Sequence, residues 1–216
     1  MADTKTSRPA RRLSKDDVLS GALVLLDDIG IDALTTRRLA EYLGVRSPSL
    51  YWHFPSKEAL LEAMAERIGR EHHDSPPPTS GTDWRTWFLA NALSFRRSLL
   101  AYRDGARLHA GTRPRPGDFS GIEAKMVFLR AAGFEAEEAV RLMMATGRFV
   151  VGWVLEEQAE PTRVVSADMP DATNHPLLSA GWVSVSEADP EEAFTSAVTL
   201  LVDGAEAAMR RRQEKA

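Results

Sequence analysis

The segment 46–53, RSPSLYWH, concentrates hydrogen-bonding and aromatic side chains around a single leucine. Ser47 is a suitable helix N-cap, and Pro48 suits the first helical position, which needs no amide donor, so we predict a helix barely two turns long. Such a helix leaves Tyr51 and Trp52 largely free to face outward. A short helix with this surface is suited to contact another molecule rather than to fill a core.

The neighbouring residues predict how this segment is held. Residues 36–43 have the apolar spacing of another short helix, and Gly44 stands where a helix needs a left-handed C-cap. Two short helices joined by a glycine turn are typical of a helix-turn-helix, whose second helix enters the major groove of DNA. The outward side chains of the second helix are therefore candidates for contacts with base edges and phosphates.

Helical periodicity dominates the rest of the chain, and strand patterns are nearly absent, so we predict an all-α fold. A helix at about 15–29 begins with a capping box of Ser14 and Asp17 and ends at Gly30. A further helix follows the N-cap Ser56. Together these elements predict an N-terminal three-helix helix-turn-helix domain with a fourth, connecting helix.

The proline-rich stretch 74–83 separates this head from a larger helical body. We therefore predict three parts, at 1–57, 58–74 and 75–216. The body contains one long polar loop, at 159–176. Its predicted helices lie at about 84–102, 105–110, 120–132, 135–158 and 190–212.

Composition narrows the class of protein. The 216 residues include no cysteine for a disulfide framework, and no apolar run approaches the ~20 residues that span a bilayer. The basic N-terminus is not followed by an apolar segment, so we expect a cytoplasmic protein. Residues 1–57 hold nine Lys or Arg and seven Asp or Glu, a net +2, whereas the remainder holds 18 and 24, a net −6. This modest contrast is compatible with a protein that touches DNA through one face.

The motifs TTRRLA, LGV and LYWHF with the following Lys57 resemble the TetR family of bacterial repressors. The body motifs RxHHD at 70–74, NAxSFRRxLLxYRDGA at 91–106, HxGTRP at 109–114 and VLEEQ at 154–158 resemble the tetracycline-responsive members of that family. The resemblance implies a ligand-responsive transcriptional repressor that binds palindromic operator DNA as a homodimer. The body would then be its ligand-binding and dimerisation domain.

The resemblance also implies which residues contact DNA. Arg37 would reach a guanine edge, because the guanidinium fork matches the O6 and N7 acceptors together. A solvated surface arginine is the alternative for Arg37, and a plain N-cap is an equal alternative for Ser47. The full predicted set is Arg37, Ser47, Pro48, Ser49, Tyr51, Trp52 and Lys57.

A second set of residues matches the ligand pocket of the family. His109 and Glu156, the latter from the partner subunit, would hold a divalent cation, Mg²⁺, bound together with the inducer. Without the resemblance, each histidine is more often an ordinary core or surface residue, and Glu156 an ordinary helix-surface carboxylate. The full predicted set is His73, Asn91, Phe95, His109, Thr112, Arg113, Pro114 and Glu156.

Several positions depart from the tetracycline-responsive pattern. Arg46 and Ser47 replace acidic and amide residues, so a different operator is expected. In the body, Lys125 replaces a glutamine, Gly147 a small polar residue, and Trp153 is bulkier than expected. A lysine close to a cation site is unfavourable unless it is paired or turned away. The inducer is therefore predicted to be a tetracycline–Mg²⁺ chelate or, as the alternative, another aromatic polyketide or drug.

The implied mechanism is a population shift, in which the inducer binds the DNA-incompetent state more tightly. The helices at 135–158 and 190–212 would form the dimer as a four-helix bundle. Two rivals from other classes are a metal-dependent hydrolase using His73, His109 and Glu156, and a helical protein–protein adaptor. The sequence contains no HExxH motif, glycine-rich phosphate loop or marked nucleophile that would favour an enzyme.

Overall fold

The structure is a computed structural model that describes residues 13–74, 78, 81–159 and 170–215. The described residues form α-helices and one short 3-10 helix, and none of them lies in a strand, which confirms the all-α prediction. The α-helices are α1 Lys15–Ala33, α2 Thr36–Tyr42, α3 Ser47–Tyr51, α4 Lys57–His72, α5 Trp84–Leu100, α6 Gly105–His109, α7 Phe119–Ala131, α8 Ala136–Ala159, α9 Pro176–Ser186 and α10 Pro190–Gln213.

The chain divides into two compact units, Met1–Met64 and Ala65–Ala216, and α4 runs across the division. Among the described helices, none combines the length and the apolar composition needed to cross a bilayer.

The first unit has the predicted helix signals. The Ser14 hydroxyl accepts a hydrogen bond from the Asp17 amide at 3.0 Å, and the Asp17 carboxylate accepts one from the Ser14 amide at 2.9 Å. Gly30 has a φ of 75° and interrupts the helix where a stop was predicted, although one more turn follows it to Ala33. The Ser56 hydroxyl caps α4 by accepting a 3.1 Å hydrogen bond from the Ala59 amide.

The turn before α3 is built as predicted, but its cap is not. Gly44 has a φ of 66°, which glycine adopts without the steric cost of a side chain. The predicted N-cap at Ser47 is wrong, because Arg46 is the extended residue that precedes the helix and Ser47 is its first residue. Pro48 is accordingly the second helical residue rather than the first. The backbone carbonyl of Arg46 accepts the 2.9 Å hydrogen bond from the Ser49 amide, so no hydroxyl cap is used there.

In the second unit, α5, α8 and α10 pack together around the main core. The short helix α6 lies against α5 and α8, and Gln158 of α8 holds it in place. The Gln158 side-chain oxygen accepts a 3.3 Å hydrogen bond from the Ala106 amide, while its amide group donates to the carbonyls of Leu99 and Tyr102 at 3.2 and 2.9 Å. The chain turns into α6 at Gly105, where a Cβ atom would lie 2.1 Å from the Leu99 carbonyl oxygen.

The helix α9 has no counterpart among the predicted elements. Its sequence, PLLSAGWVSVS, lacks a polar face with helical period, so periodicity did not indicate a helix. Pro176 occupies the first helical position, which helps to start the helix at the end of the predicted loop. Most of that loop, residues 160–169, lies outside the described residues.

Candidate functional site

The helix α3 buries one residue, and the two aromatic residues at its C-terminal end are exposed. Leu50 is 3% exposed, whereas Tyr51 is 51% and Trp52 is 89% exposed. An indole left in solvent to this degree contributes little to the core of its own domain. The arrangement therefore agrees with the expectation that the outward face of α3 exists to contact another molecule.

The other residues predicted to contact DNA lie on or beside the same helix-turn-helix. Pro48 is exposed and Ser47 and Ser49 are half-buried in α3, while Lys57 is the half-buried first residue of α4. Arg37 lies on α2 with its side chain 85% exposed, and its Nε is 3.0 Å from the Glu41 carboxylate. An exposed pair of this kind is weak enough for Arg37 to exchange it for another acceptor.

Three predicted ligand residues come together in the second unit. The Phe95 ring on α5 makes edge-to-face contacts with two imidazoles, His73 just after α4 and His109 at the end of α6, with centroid distances of 5.7 and 5.0 Å. Residues distant in sequence thus share one aromatic cluster. We call His73, Phe95 and His109 the imidazole cluster.

His73 is held as a neutral group. Its Nδ1 lies 3.1 Å from the Ser94 hydroxyl, a contact in which either atom donates depending on the tautomer. Burial, followed by the positive charge of Lys125, lowers the pKa of His73 to about 4. At neutral pH the ring therefore has one donor and one acceptor nitrogen, and Ser94 already engages Nδ1.

His109 has the protonation state that a metal ligand needs. Burial lowers its pKa, so the imidazole is neutral at physiological pH. Glu156 is exposed on α8, and among the described residues of a single chain no group of three His, Cys, Asp or Glu could hold a metal ion. A divalent cation at His109 would thus need donors beyond those of one chain, such as a chelating ligand or a second subunit.

A lysine and a tryptophan extend the cluster on its α7 side. The Nζ of Lys125 lies 3.4 Å from the Asn91 Oδ1 and 5.9 Å from the centroid of the Trp87 ring. Trp87 in turn makes an edge-to-face contact with Phe128 at 5.3 Å. Burial lowers the pKa of Lys125.

Sequence reasoning missed Trp87 and Ser94, and it treated Lys125 only as a departure from a pattern. The sequence did contain a signal for Trp87 and Ser94, because they lie four residues before and three residues after Asn91 and so share its face of the helix. Lys125 gave no such signal, because its position beside Asn91 depends on how α7 packs.

The rest of the predicted ligand set lies outside the buried part of the cluster. Thr112, Arg113 and Pro114 are exposed in the segment that follows α6, and the Thr112 amide donates a 3.0 Å hydrogen bond to the His109 carbonyl.

A shallow depression of about 500 Å³ lies at the end of α10, and none of the residues that line it was predicted as a site residue.

Trp153 and Gly147, the other two body residues that depart from the tetracycline-responsive pattern, lie in different surroundings. Trp153 on α8 is half-buried, and its indole N–H donates a 2.9 Å hydrogen bond to the Glu157 carboxylate. Gly147 has no atom within 4 Å of the position that a Cβ would occupy. Trp153 therefore belongs to an internal polar network, while Gly147 leaves open space on α8.

Proteins of similar sequence indicate the family to which the chain belongs. Residues 18–64 match the family described as bacterial regulatory proteins, tetR family, and residues 77–209 match the tetracyclin repressor-like, C-terminal domain. The chain is 46% identical over 195 residues to the tetracycline repressor protein class A from transposon 1721 of Escherichia coli, covering 89% of this chain and 90% of that protein.

Two solved structures are also similar. The class A TetR in complex with 5a,6-anhydrotetracycline and magnesium has a TM-score of 0.71 and 42% identity, covering 90% of this chain and 99% of the other. ActR of Streptomyces coelicolor in complex with actinorhodin has a TM-score of 0.79 and 27% identity, covering 92% and 98%.

Both parts of the chain thus match the same family, the helix-turn-helix over residues 18–64 and the body over residues 77–209. The chain belongs to the TetR family of bacterial regulatory proteins and is a ligand-responsive transcriptional repressor.

Proposed function

We propose that the repressor binds palindromic operator DNA as a homodimer, with one α3 helix in each half-site. Pro48, Ser47 and Ser49 meet base edges, Arg37 reaches a guanine, and Tyr51, Trp52 and Lys57 contact phosphates. The 51% and 89% exposure of Tyr51 and Trp52 supports this assignment. Residues 1–57 serve as the DNA-binding domain, and 75–216 bind ligand and dimerise. Because its partner is DNA, the protein works in the cytoplasm.

The second copy packs against α8 and α10. Val140 and Met144 on α8 are 44% and 49% exposed, and Leu200 on α10 is 73% exposed. Large apolar side chains left in solvent on two long helices favour a four-helix bundle between copies, which would bury them.

The inducer binds in the imidazole cluster. The observation that carries this proposal is the contact of the Phe95 ring with both His73 and His109, because it joins three elements around one aromatic wall. His73 and Asn91 donate and accept hydrogen bonds at the polar edge of a flat ligand. Thr112, Arg113 and Pro114 close the site when the segment after α6 folds over it.

A tetracycline–Mg²⁺ chelate is the first candidate for the inducer. His109 and Glu156 of a second copy would hold the ion, which would supply positive charge for the acidic keto-enol group of the ligand. The neutral state of His109 supports this assignment. The ammonium of Lys125, which contacts Asn91 and has no acidic partner among the described residues, favours the alternative, another aromatic polyketide or drug.

Ligand binding changes DNA affinity through α4. This helix begins at Lys57, which contacts DNA, and ends one residue before His73, which contacts ligand. A ligand that binds the DNA-incompetent state more tightly by ~1–3 kcal/mol shifts the population away from DNA. The protein acts here as a regulator, and no substrate is turned over.

Fluorescence anisotropy tests the proposal. Duplexes selected by the protein from a random library serve as operators, and anhydrotetracycline is added with Mg²⁺ or with EDTA. If the drug releases DNA in Mg²⁺ but not in EDTA, the inducer is the chelate. If the drug releases DNA in both conditions, the metal-free alternative is supported. Failure to select any DNA would overturn the regulatory assignment of α3. Selected DNA that is retained with the drug would exclude tetracyclines as inducers.

A further inference from the structure

Among the described residues of the second unit, Lys125 differs from the other buried or half-buried cations because no acidic partner lies beside it. Arg96 is paired with Glu157 at 2.6 Å, Arg212 lies 3.0 Å from Glu138, and Arg85 is paired with two acidic residues of α10. Among the described residues, no carboxylate lies within ion-pair distance of the Lys125 Nζ, which contacts Asn91 and the Trp87 ring.

These contacts satisfy the ammonium poorly. A distance of 3.4 Å to the Asn91 oxygen is at the long limit for a hydrogen bond, and a neutral amide oxygen does not balance the charge of the ammonium. A half-buried ammonium without a counter-ion is unfavourable, and the lowered pKa of Lys125 reflects the same loss of solvation. A negatively charged ligand group would remove this cost.

The surroundings of Lys125 indicate what carries that group. Trp87, which is 7% exposed, packs edge to face against Phe128, and the Phe95 ring packs against the two imidazoles. The Lys125 ammonium lies 3.4 Å from the Oδ1 of Asn91, which is one helical turn before Phe95 on α5, and its charge also lowers the pKa of His73. The site therefore joins flat apolar walls to one positive charge and two neutral hydrogen-bonding groups.

We propose that Lys125 is a specificity-determining residue that selects flat aromatic ligands bearing an oxyanion next to the ring system. The inference depends on the proposed ligand site and specifies the chemistry of its ligand. The oxyanion is either a carboxylate or phenolate of a metal-free ligand or an enolate of a chelating one. In both cases the ammonium is its counter-ion, and the contact is a charge-assisted hydrogen bond.

A matched pair of probes tests the role of the charge. Isothermal titration calorimetry measures the binding of an anthraquinone carboxylate and of the corresponding carboxamide, which has the same shape without the charge. We expect the intact protein to bind the carboxylate about tenfold more tightly or better, in EDTA as well as in Mg²⁺. A preference that appears only in Mg²⁺ would overturn recognition by the ammonium itself.

Four variants locate the effect. Lys125→Gln and Lys125→Met remove the charge and should reduce the preference to less than about twofold, while Lys125→Arg should retain it. Lys215→Gln removes an equal charge from an exposed lysine at the C-terminus and should change nothing. Lys125→Met provides an uncharged side chain of similar length. Thermal melts followed by circular dichroism verify that each variant is folded.

The outcomes separate the two proposals. Equal binding of both probes by the intact protein, with loss of both in Phe95→Ala, would overturn the role of Lys125 and leave the ligand site standing. The role of Lys125 would also be overturned if Lys125→Gln kept the full preference for the carboxylate probe over the carboxamide. Failure of both probes to bind the intact protein would overturn this inference, while release of DNA by anhydrotetracycline would still support the ligand site.

Discussion

The guanidinium of Arg96 makes a two-pronged ion pair with the Glu157 carboxylate, with Nη2–Oε1 and Nε–Oε2 distances of 2.6 and 3.0 Å. The same carboxylate accepts the indole N–H of Trp153, and the guanidinium lies 5.4 Å from the centroid of the Phe194 ring. The side chain of Arg96 is only 8% exposed. The pair therefore links α5 to α8 and approaches α10 inside the second unit.

Removing one partner of this pair should be costly. Glu157→Ala leaves the Arg96 charge buried without a counter-ion, and we expect the free energy of unfolding to fall by about 3 kcal/mol. Glu191→Ala breaks the Arg97–Glu191 pair, in which both side chains are largely exposed, and should cost less than about 1 kcal/mol. Urea unfolding measures both values. Equal losses would show that burial of Arg96 does not govern the cost.

Gly105 allows the close approach that brings α6 and His109 to α5. A Cβ there would lie 2.1 Å from the Leu99 carbonyl oxygen, so Gly105→Ala must displace backbone and should destabilise the protein by about 3 kcal/mol. The control is Gly69→Ala on α4, where a Cβ meets nothing within 4 Å. That change should be neutral or stabilising by up to ~1 kcal/mol. An undiminished melting temperature for Gly105→Ala would contradict the packing described.

The lowered pKa of His73 makes stability depend on pH. The folded protein has a pKa of about 4 at this residue, against 6.5 for an unperturbed histidine, so the unfolded chain binds more protons between these values. The contribution is fully present above pH 6.5 and is lost as pH falls toward 4, by up to about 3 kcal/mol. Urea unfolding at a series of pH values measures the slope.

Two variants isolate the contribution of His73 to that slope. His73→Gln should flatten the fall in stability between pH 6.5 and 4, whatever its effect at neutral pH. His175→Gln alters an exposed histidine before α9 and should keep the slope of the parent protein. Identical slopes for the parent and His73→Gln would mean that another group controls the acid response.

Arg37→Ala should weaken binding to the selected operator by about 1–3 kcal/mol and relax specificity at one base pair. Arg141→Ala is a matched control, since Arg141 is 73% exposed and forms an i,i+4 pair with Glu137 on α8. It should leave DNA affinity unchanged. Anisotropy titrations with the operator and with random duplex give both quantities, and unchanged affinity for each DNA would remove Arg37 from the interface.

His109→Ala should abolish Mg²⁺-dependent release of operator DNA while sparing DNA affinity in the absence of drug. The reason is that the variant lacks the neutral imidazole proposed to hold the ion, whereas α3 is untouched. His175→Ala provides the control. Anisotropy with anhydrotetracycline and increasing Mg²⁺ measures release, and an unaltered Mg²⁺ dependence would exclude His109 as a ligand of the ion.

Local signals were sufficient for most of the helices. The Ser14–Asp17 box, the positive φ of Gly44 and the Ser56 cap were predictable because each satisfies the backbone within a few residues. The cap of α3 was not, because Arg46 and Ser47 compete for the same position and the turn geometry decides between them. The helix α9 escaped prediction because its composition carries no amphipathic period.

Propensity, capping and periodicity act over short distances, so the helical class, the helix-turn-helix and the residue types that could bind DNA and a ligand follow from the amino-acid sequence. Only the packing of the folded chain brings Phe95 against both His73 and His109, and puts Lys125 beside Asn91 with no acidic partner among the described residues. Those contacts depend on how α5, α6 and α7 pack. Burial and charge, which set the pKa values and the ligand chemistry, exist only once that packing has formed.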